Sequence, residues 1–428
     1  MKIKTVLFSA AFGLVVAVIL YAASQTFLYW PLLKTQNRID DRHFAQRYKL
    51  NGAPAAEQDG IIIVDIDDRS MRSLGSVMSK RWPRRHMADV IEYLAGDGAK
   101  LIYLDILFEN WTRDNEILAE SVASAGNVIA GYYFDLEYES RKRRPDDSIF
   151  NEAITENIID GIAPEGSRFI QSRHVVLPYS RLVWNVKALG FANYIPDPDG
   201  VLRHIPLYIS SGRNGSMVSA SAAMQMWLYL KDIHYSDASL KRDGVEFNGL
   251  RIPTDRHCFM RLNYHTAGSV YPYVSFVDVL NGDFEEGAFA DKIVMIGSGS
   301  EKAGDLKVIP GDQRMPGVEV HATALSTLLN GKFIEVVSGN IILSICIVSG
   351  ITGGLLFSLL PLKFGLMITL LYTLSMFALS RLLFIKSGML LNIVIPSFII
   401  LLLFAVIAAH ELFERFEIHH GALTPDSE

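Results

Sequence analysis

Apolar and polar positions divide the chain into long apolar runs and one extended mixed segment. Four runs are long and apolar enough to cross a bilayer, which takes about 20 residues; they cover 6–30, 337–360, 364–385 and 389–409. Residues 31–336 lie between the first two runs and alternate between short apolar stretches and charged ones. The pattern therefore predicts a membrane protein with one large folded domain and three closely spaced spans after it.

The first run is predicted to be a retained anchor rather than a cleaved leader. It is longer than the apolar core of a typical signal peptide, and it ends in TFLYWPLL (26–33), an aromatic sequence typical of a membrane interface. Lys2 and Lys4 precede it and favour an inside N-terminus, whereas the basic residues after it favour the opposite, namely Lys34, Arg38 and Arg42. Because long domains are translocated largely regardless of charge, the short flank decides, and residues 31–336 are predicted outside the cytoplasm.

The mixed segment begins with the pattern of an α/β sheet. Continuous apolar runs are typical of strands buried on both faces, and three follow one another: GIIIVDID (60–67), AKLIYLDILF (99–108) and NVIAGYYF (127–134). Two amphipathic helical patterns lie between them, one at 114–126 and one with apolar residues at Met87, Val90, Ile91 and Leu94. Strands that alternate with helices predict a mostly parallel sheet flanked by helices.

The middle of the domain is less regular. Residues 137–148 are charged and contain a proline, which is typical of a solvated loop, and 190–209 predict two strands joined by a turn of Pro, Asp and Gly. A helix is predicted at about 216–231, followed by short strands near 244–253 and 257–265.

The last third returns to the α/β pattern. Residues 291–300 predict a strand that runs into a loop of small residues. Residues 315–331 predict a helix with Pro316 near its first turn, Gly331 at its end, and an apolar stripe of Val318, Ala322, Leu325 and Leu329. This helix precedes the second span almost directly.

Composition limits the kinds of partner and of cross-link that the sequence predicts. The net charge is −6, so nothing predicts an electrostatic surface for nucleic acid. The two cysteines, Cys258 and Cys346, are far apart and Cys346 lies in an apolar run, which excludes a disulfide framework.

Acidic residues gather where predicted strands end. Asp65, Asp67 and Asp68 close the first strand, and Asp105 lies near the end of the second. Ligands of parallel sheets usually bind beyond the carboxyl ends of strands, and these oxygens are suited to a divalent cation or to acid–base hydrolysis. The simpler interpretation is structural, with the carboxylates capping helices or pairing with Arg69, Arg84 and Arg85. The identity of any metal or cofactor stays open.

Other candidates are weaker. IGSGSEKAGD (296–305), which contains Ser298 and Asp305, is similar to a phosphate-binding loop, but it matches neither G-x-x-x-x-G-K-[ST] nor G-x-G-x-x-G, and a tight turn after the strand is the simpler interpretation. His321 is a lone histidine on a predicted helix, where a packing role is the simpler interpretation.

Many ordered blocks resemble one known family. They are IIIVDIDDRS, RWPRRHMADVIEYLAGDGAKLIYLDILF, DNEILAESVASAGNVI, LGFANYIPDPDGVLRHIPL, YVSFVDVLNGDF, DKIVMIGSGSEKAGD and MPGVEVHATALSTLLNG. Together they resemble the CHASE type 2 domain, an extracytoplasmic sensory domain of bacterial cyclases and histidine kinases. Where the family often has a Trp-Pro-Trp-Pro-Arg run, only Trp82, Pro83 and Arg84 are present.

The resemblance implies a sensor in the bacterial inner membrane. Its predicted parts are an anchor (1–30), an extracytoplasmic sensory domain (31–336), three spans (337–410) and a short cytoplasmic tail (411–428). In such proteins a cyclase or kinase usually follows the spans, and none is expected in this sequence.

The leading hypothesis is therefore a receptor subunit that detects an unknown ligand and signals through its spans to a separate kinase, cyclase or regulator, either alone or as a homodimer. The candidate ligand-binding residues are Asp65, Asp67, Asp68, Trp82, Arg84, Asp105, Ser298, Asp305 and His321. An ecto-hydrolase that uses the Asp residues and an envelope scaffold are the alternatives. HELFERFEIHH (410–420) fits an amphipathic docking helix or a membrane-interface helix.

Overall fold

The computed structural model describes residues 2–51, 59–74, 82–110, 112–136, 158–160, 169–172, 174–211, 217–264, 271–299 and 305–421. The chain divides into two compact units. One consists of Phe44–Phe333 and is called the α/β unit; the other consists of Met1–His43 with Ile334–Glu428 and is called the membrane unit.

The α/β unit contains most of the strands. They are β1 (Ile61–Asp65), β2 (Leu101–Leu104), β3 (Val128–Phe134), β4 (Ile158–Asp160), β5 (Val175–Val176), β6 (Ala188–Phe191), β7 (His204–Pro206), β8 (Tyr208–Ser211), β9 (Met217–Ala220), β10 (Ala238–Lys241), β11 (Gly244–Phe247), β12 (Leu250–Pro253), β13 (Phe259–Arg261), β14 (Tyr273–Ser275), β15 (Ile293–Gly297), β16 (Leu306–Ile309) and β17 (Gln313–Pro316). The membrane unit adds β18 (Glu335–Val336) and β19 (Met389–Leu390).

The helices, in chain order, are α1 (Lys2–Ser24), α2 (Tyr29–Asn51), α3 (Asp68–Ser73), α4 (Arg84–Gly96), α5 (Asn115–Ala125), α6 (Ser180–Val183), α7 (Ala222–Lys231), α8 (Phe276–Asn281), α9 (Gly317–Asn330), α10 (Gly339–Leu359), α11 (Leu362–Ser387) and α12 (Val394–Gly421). A 3-10 turn covers Tyr235–Asp237.

A seven-stranded sheet organises the α/β unit. Its order is β14-β1-β15-β2-β3-β5, and β6 pairs with β3. All of these pairs are parallel except β3 with β5. The prediction of a mostly parallel sheet flanked by helices is confirmed.

The faces of this sheet follow from strand alternation, since successive side chains point to opposite sides. Val64, Ile102 and Ile296 share one core with Leu94 of α4 and Phe276 of α8. Residues at the alternate positions of the same strands face the other side, where α9 packs. The structure confirms the predicted helix at 84–96, whose Met87, Val90, Ile91 and Leu94 are all buried.

Helix α9 differs from the sequence prediction in one respect. Its bounds agree, and Gly331 closes it in the left-handed conformation at φ 61°. The expected stripe residues Val318, Ala322 and Leu325 are buried, but burial extends around the helix, since every residue from Gly317 to Leu328 is buried. The helix is covered on both sides: it contacts β15 and α7, and the Trp227 indole N–H of α7 donates to the Leu328 carbonyl at 3.1 Å.

Residues 190–209 form strands joined by a turn, as predicted. The strands have other partners: β6 runs parallel to β3, and β7 pairs with β13. The turn between them holds buried Arg203, which donates to Asp197 at 2.5 Å and to Asp199 at 2.9 Å. The predicted loop at 137–148 lies outside the described residues.

Among its described residues, the membrane unit contains four helices long and apolar enough to cross a membrane, as predicted: Val6–Ser24, Gly339–Leu359, Leu362–Ser387 and Val394–Phe416. The first is shorter than predicted, because α1 ends at Ser24 and a second helix, α2, begins at Tyr29. Helices α1 and α10 touch at their backbones, since a Cβ added at Gly13, Gly350 or Gly354 would collide with the main chain of the other helix.

Candidate functional site

Polar side chains collect on the α9 side of the sheet, at the carboxyl ends of its strands. Asp105 follows β2, Tyr133 lies near the end of β3, and His321 lies in the second turn of α9. Tyr103 and Tyr194 pack against the His321 ring, with centroids 5.6 and 4.8 Å away. We call these five residues the tyrosine cluster.

Asp105 and His321 form the centre of the cluster. Their side chains are only 4 % and 2 % exposed, and Asp105 Oδ1 lies 3.7 Å from His321 Nε2. The Tyr103 hydroxyl donates to the same carboxyl oxygen at 3.2 Å. Within the described part of the chain, neither ring nitrogen of His321 has a hydrogen-bond partner. A buried acid and a buried imidazole thus face each other without a bond between them, an arrangement that needs an explanation.

The cluster opens to solvent beside β16. Lys307 Nζ lies 2.6 Å from Asp305 Oδ1 and 4.6 Å from the centroid of the Tyr194 ring. Tyr194 donates its hydroxyl to the Gly317 carbonyl at 2.6 Å, in the first turn of α9. Gly317 leaves no room for a side chain, because a Cβ there would collide with the Asp305 carboxylate. The first turn of α9 is therefore packed directly against the half-exposed Asp305.

Burial changes the protonation of the central pair. Desolvation, with a smaller contribution from Asp305, raises the pKa of Asp105 to about 7. Desolvation also lowers the pKa of His321 to about 3, and Lys307 adds to this effect. Both groups are therefore neutral between these two values.

The acidic residues after β1 serve other purposes. Desolvation raises the pKa of Asp65 to about 6, although its Oδ1 accepts a hydrogen bond from the Gly299 N–H at 2.6 Å. Asp67 caps α3 by accepting from the Ser70 N–H at 2.7 Å, and Asp68 is the first residue of that helix, where a negative charge is favourable. Asp67 and Asp68 therefore have a structural role at the start of α3.

Asp65 and Asp105 are not neighbours in the sheet. Strand β15 lies between β1 and β2, with Gly297 in register with Asp65. Two strand spacings separate the backbones of the two acids by about 10 Å. Among the residues described here, no group of three or more His, Cys, Asp or Glu side chains is arranged to hold a metal ion.

Trp82 and Arg84 lie on the opposite, apolar face. The Trp82 ring packs edge-to-face on Phe276 at 5.1 Å, and the Arg84 guanidinium lies 4.5 Å from the Phe108 centroid. Arg84 also donates to the carbonyls of Trp82 and Asn110 at 2.8 and 3.1 Å. These contacts fix the start of α4 and keep both residues apart from the tyrosine cluster.

Ser298 lies in the predicted phosphate loop but points inward. Its hydroxyl donates to the Ile66 carbonyl at 3.1 Å and is buried. Residues 300–304 of that loop lie outside the described residues. Of the nine predicted site residues, the structure brings together Asp105, Asp305 and His321.

The sequence interpretation missed several members of the site. Tyr103 was assigned to a buried strand, and Tyr133, Tyr194 and Lys307 were not singled out. One signal was available, since Tyr103 and Asp105 alternate along β2 and must share a face. No local sequence pattern predicts that α9 packs over that face of the sheet.

The fold and the site together define the class to which the protein belongs. It is a membrane protein that combines four candidate spanning helices with a parallel α/β unit and a buried polar cluster at the carboxyl edge of its sheet. The CHASE2 domain family matches residues 13–356, so the chain belongs to the CHASE2 family of sensory domains. No curated protein and no solved structure matches the chain.

Proposed function

We propose that the chain is a membrane-bound sensor subunit of the bacterial inner membrane. Its α/β unit lies outside the cytoplasm, detects a signal at the tyrosine cluster, and passes the change through the membrane helices to a separate signalling protein. The family supports the sensory role. The location of the detecting site and the relay rest on the following observations.

One observation carries the proposal: the start of α9 collects the contacts of the polar site. Gly317 meets Tyr194 and Asp305, Val318 lies against Gly297, and His321 faces Asp105. A signal that changes this site therefore acts on the first two turns of one helix. It shifts the helix only if it binds two arrangements with different affinity.

The chain leads from this helix to the membrane helices. Helix α9 ends at Asn330 and α10 begins at Gly339, so few residues separate the site-bearing helix from the second span. Helix α9 is buried on all sides, and closely packed elements move between discrete positions rather than deform gradually. This supports a two-position relay.

The partner is proposed to be a kinase, cyclase or regulator that docks near the end of α12. This helix runs to Gly421, beyond the candidate span that ends at Phe416, and it exposes Leu412, Phe413 and Phe416 in the last turns of that span. Among the described residues no observation favours the ecto-hydrolase, because Asp65, Asp67 and Asp105 do not converge.

The test is affinity capture of the full chain from native membranes, compared with a variant that ends after His410. We expect a signalling protein to be captured with the full chain and lost with the truncated one. A Leu412→Ala/Phe413→Ala variant keeps the helix but removes two exposed apolar side chains. It is the matched control that separates loss of the docking surface from loss of the whole segment. Capture of envelope proteins alone, unaffected by either change, would contradict the relay and favour a scaffold.

A further inference from the structure

We propose that the Asp105–His321 pair is a proton-binding site through which the α/β unit detects the pH of its surroundings. The inference rests on the proposed sensor function and names the proton as the signal. It follows from where the two side chains lie, what surrounds them, and how many protons they can share.

The geometry leaves the pair ready for a proton-dependent bond. The two groups come from different elements, β2 and α9, and lie 3.7 Å apart at Oδ1 and Nε2. This is beyond the usual hydrogen-bond range of about 2.7–3.2 Å. Both ring nitrogens of His321 lack a partner within the described residues, although the side chain is 2 % exposed. A small approach of α9 to β2 is enough to form the bond.

The surroundings confine the proton to this pair. The titratable and charged groups that face it from the packed elements are Tyr103 of β2, Tyr133 of β3, Tyr194, Asp305 before β16 and Lys307 in β16. Burial raises the pKa of Tyr103, Tyr133 and Tyr194 well above the ordinary value, so they remain protonated. Asp305 and Lys307 compensate each other at 2.6 Å.

The proton count then sets the response. Between pH 3 and pH 7 the folded pair holds one acidic proton, on the Asp105 carboxyl group, beside the single N–H of the neutral His321 imidazole, because the pKa of His321 is about 3 and that of Asp105 about 7. Loss of that proton creates a carboxylate that faces a neutral imidazole. With its remaining proton on Nε2, the imidazole donates to the carboxylate, and charge-assisted bonds of this kind are about 2.8 Å long. Helix α9 is drawn towards β2.

The experiment uses the full chain in lipid nanodiscs. Difference infrared spectra between pH 5 and pH 8 record the C=O stretch of protonated carboxyl groups, and hydrogen exchange of residues 317–330, corrected for the intrinsic pH dependence, records the position of α9. Asp105→Asn removes the titrating group at nearly constant shape. Asp65→Asn is the matched control, since Asp65 is a partly buried acid at the same edge of the sheet that bonds to Gly299 instead of α9. His321→Gln removes the imidazole and leaves the acid.

We expect a carboxyl band with a midpoint near pH 7 that is lost in Asp105→Asn and kept in Asp65→Asn. The exchange of α9 is expected to change at the same midpoint, and to lose that change in both Asp105→Asn and His321→Gln. A band that persists in Asp105→Asn, or one that titrates while α9 exchange stays constant, overturns the proposal. Should Asp105→Asn fail to fold, His321→Gln alone decides, through the presence or absence of the exchange step.

Failure here is separable from failure of the proposed function. If partner capture depends on the segment after His410 but not on pH or Asp105, the sensor stands and the proton is not its signal. If Asp105 titrates and moves α9 while no partner is captured, the proton site stands and the relay to a separate protein fails.

Discussion

On one face of the central sheet, Val64, Ile102 and Ile296 pack into an apolar core with α4 and α8. On the other face, the same strands present Asp65, Asp105 and the Tyr103 hydroxyl to α9. Both faces are covered by helices, so solvent exposure does not separate them. What separates them is that the described residues of the first face form an apolar core, whereas the second face carries two acids whose pKa values are raised to about 6 and about 7.

The two faces of the sheet contribute differently to the α/β unit. The apolar face contributes burial free energy that does not depend on pH. The polar face holds α9 through a few directional contacts whose strength depends on protonation. A change in protonation on the polar face therefore acts first on the contacts that hold α9 against the sheet.

The largest effect is expected on the apolar face. Phe276→Ala removes a ring that is completely buried and packs edge-to-face on Trp82, and a cavity of this kind costs about 3–5 kcal/mol. Urea unfolding of the α/β unit in the detergent-solubilised chain measures it at pH 5 and pH 8. The loss should be equal at both values, and Phe276→Leu should recover most of it. A loss that differs strongly with pH would break the distinction between the faces.

The next effect belongs to the central pair and depends on pH. A raised pKa at Asp105 gives stability that is complete below pH 3.8 and is lost as pH rises towards 7, since the folded chain holds the proton longer. A lowered pKa at His321 gives stability that is complete above pH 6.5 and is lost as pH falls towards 3. Between pH 4 and pH 6 the two contributions oppose each other.

Single variants should therefore reveal opposite slopes. Relative to the wild type, Asp105→Asn is expected to gain stability as pH rises from 4 to 6, and His321→Gln to lose it, each by up to about 1.4 kcal/mol per pH unit. Urea unfolding at several pH values measures the slopes. The double variant is the control and should run parallel to the wild type. Slopes of the same sign in both single variants would show that the pair does not titrate as described.

The third prediction concerns how closely α9 packs on the sheet. A Cβ at Gly297 would lie 2.7 Å from Val318 Cβ and 3.3 Å from Asp105 Cβ, so Gly297→Ala should destabilise the α/β unit by about 1–3 kcal/mol through overpacking. Gly96→Ala is the matched control, because a Cβ there meets nothing within 4 Å, and it should be neutral or stabilising by up to about 1 kcal/mol. Equal melting temperatures for the two variants would argue against close contact at Gly297.

The smallest effect concerns one hydroxyl. Tyr194→Phe removes the bond to the Gly317 carbonyl, with an expected loss of about 1 kcal/mol. Tyr93→Phe, at an exposed tyrosine of α4, should change stability by less than about 0.5 kcal/mol. Thermal unfolding of the three proteins side by side compares them. A Tyr194→Phe protein as stable as the Tyr93→Phe protein would mean that this bond does not hold the first turn of α9.

The sequence predicted the elements better than their arrangement. The spans, strands β1, β2 and β3, and the bounds of α9 follow from local apolar patterns and from Gly331. The position of β15 between β1 and β2 does not, because β15 lies nearly two hundred residues further along the chain than β2 and its apolar pattern fits any buried strand. That single insertion separates Asp65 from Asp105.

The candidate site was predictable to a similar degree. Asp105 and His321 were recognised as candidates, but their encounter depends on α9 packing over β2. The structural interpretation of the acidic residues included helix capping, and Asp67 has that role, since an acceptor three residues before Ser70 is a common helix start. The buried stripe of α9 was misjudged because its second covering layer, α7, comes from a distant part of the chain.

The close contact between α1 and α10 has a consequence for biosynthesis. Gly13 and Gly350 meet at their backbones, yet the ribosome makes the whole α/β unit between them. At roughly 5–20 residues per second, the first helix enters the bilayer tens of seconds before its partner exists. During that interval the surface at Gly13 faces lipid or another protein. Correct assembly of the membrane unit therefore depends on that surface remaining accessible until α10 is inserted.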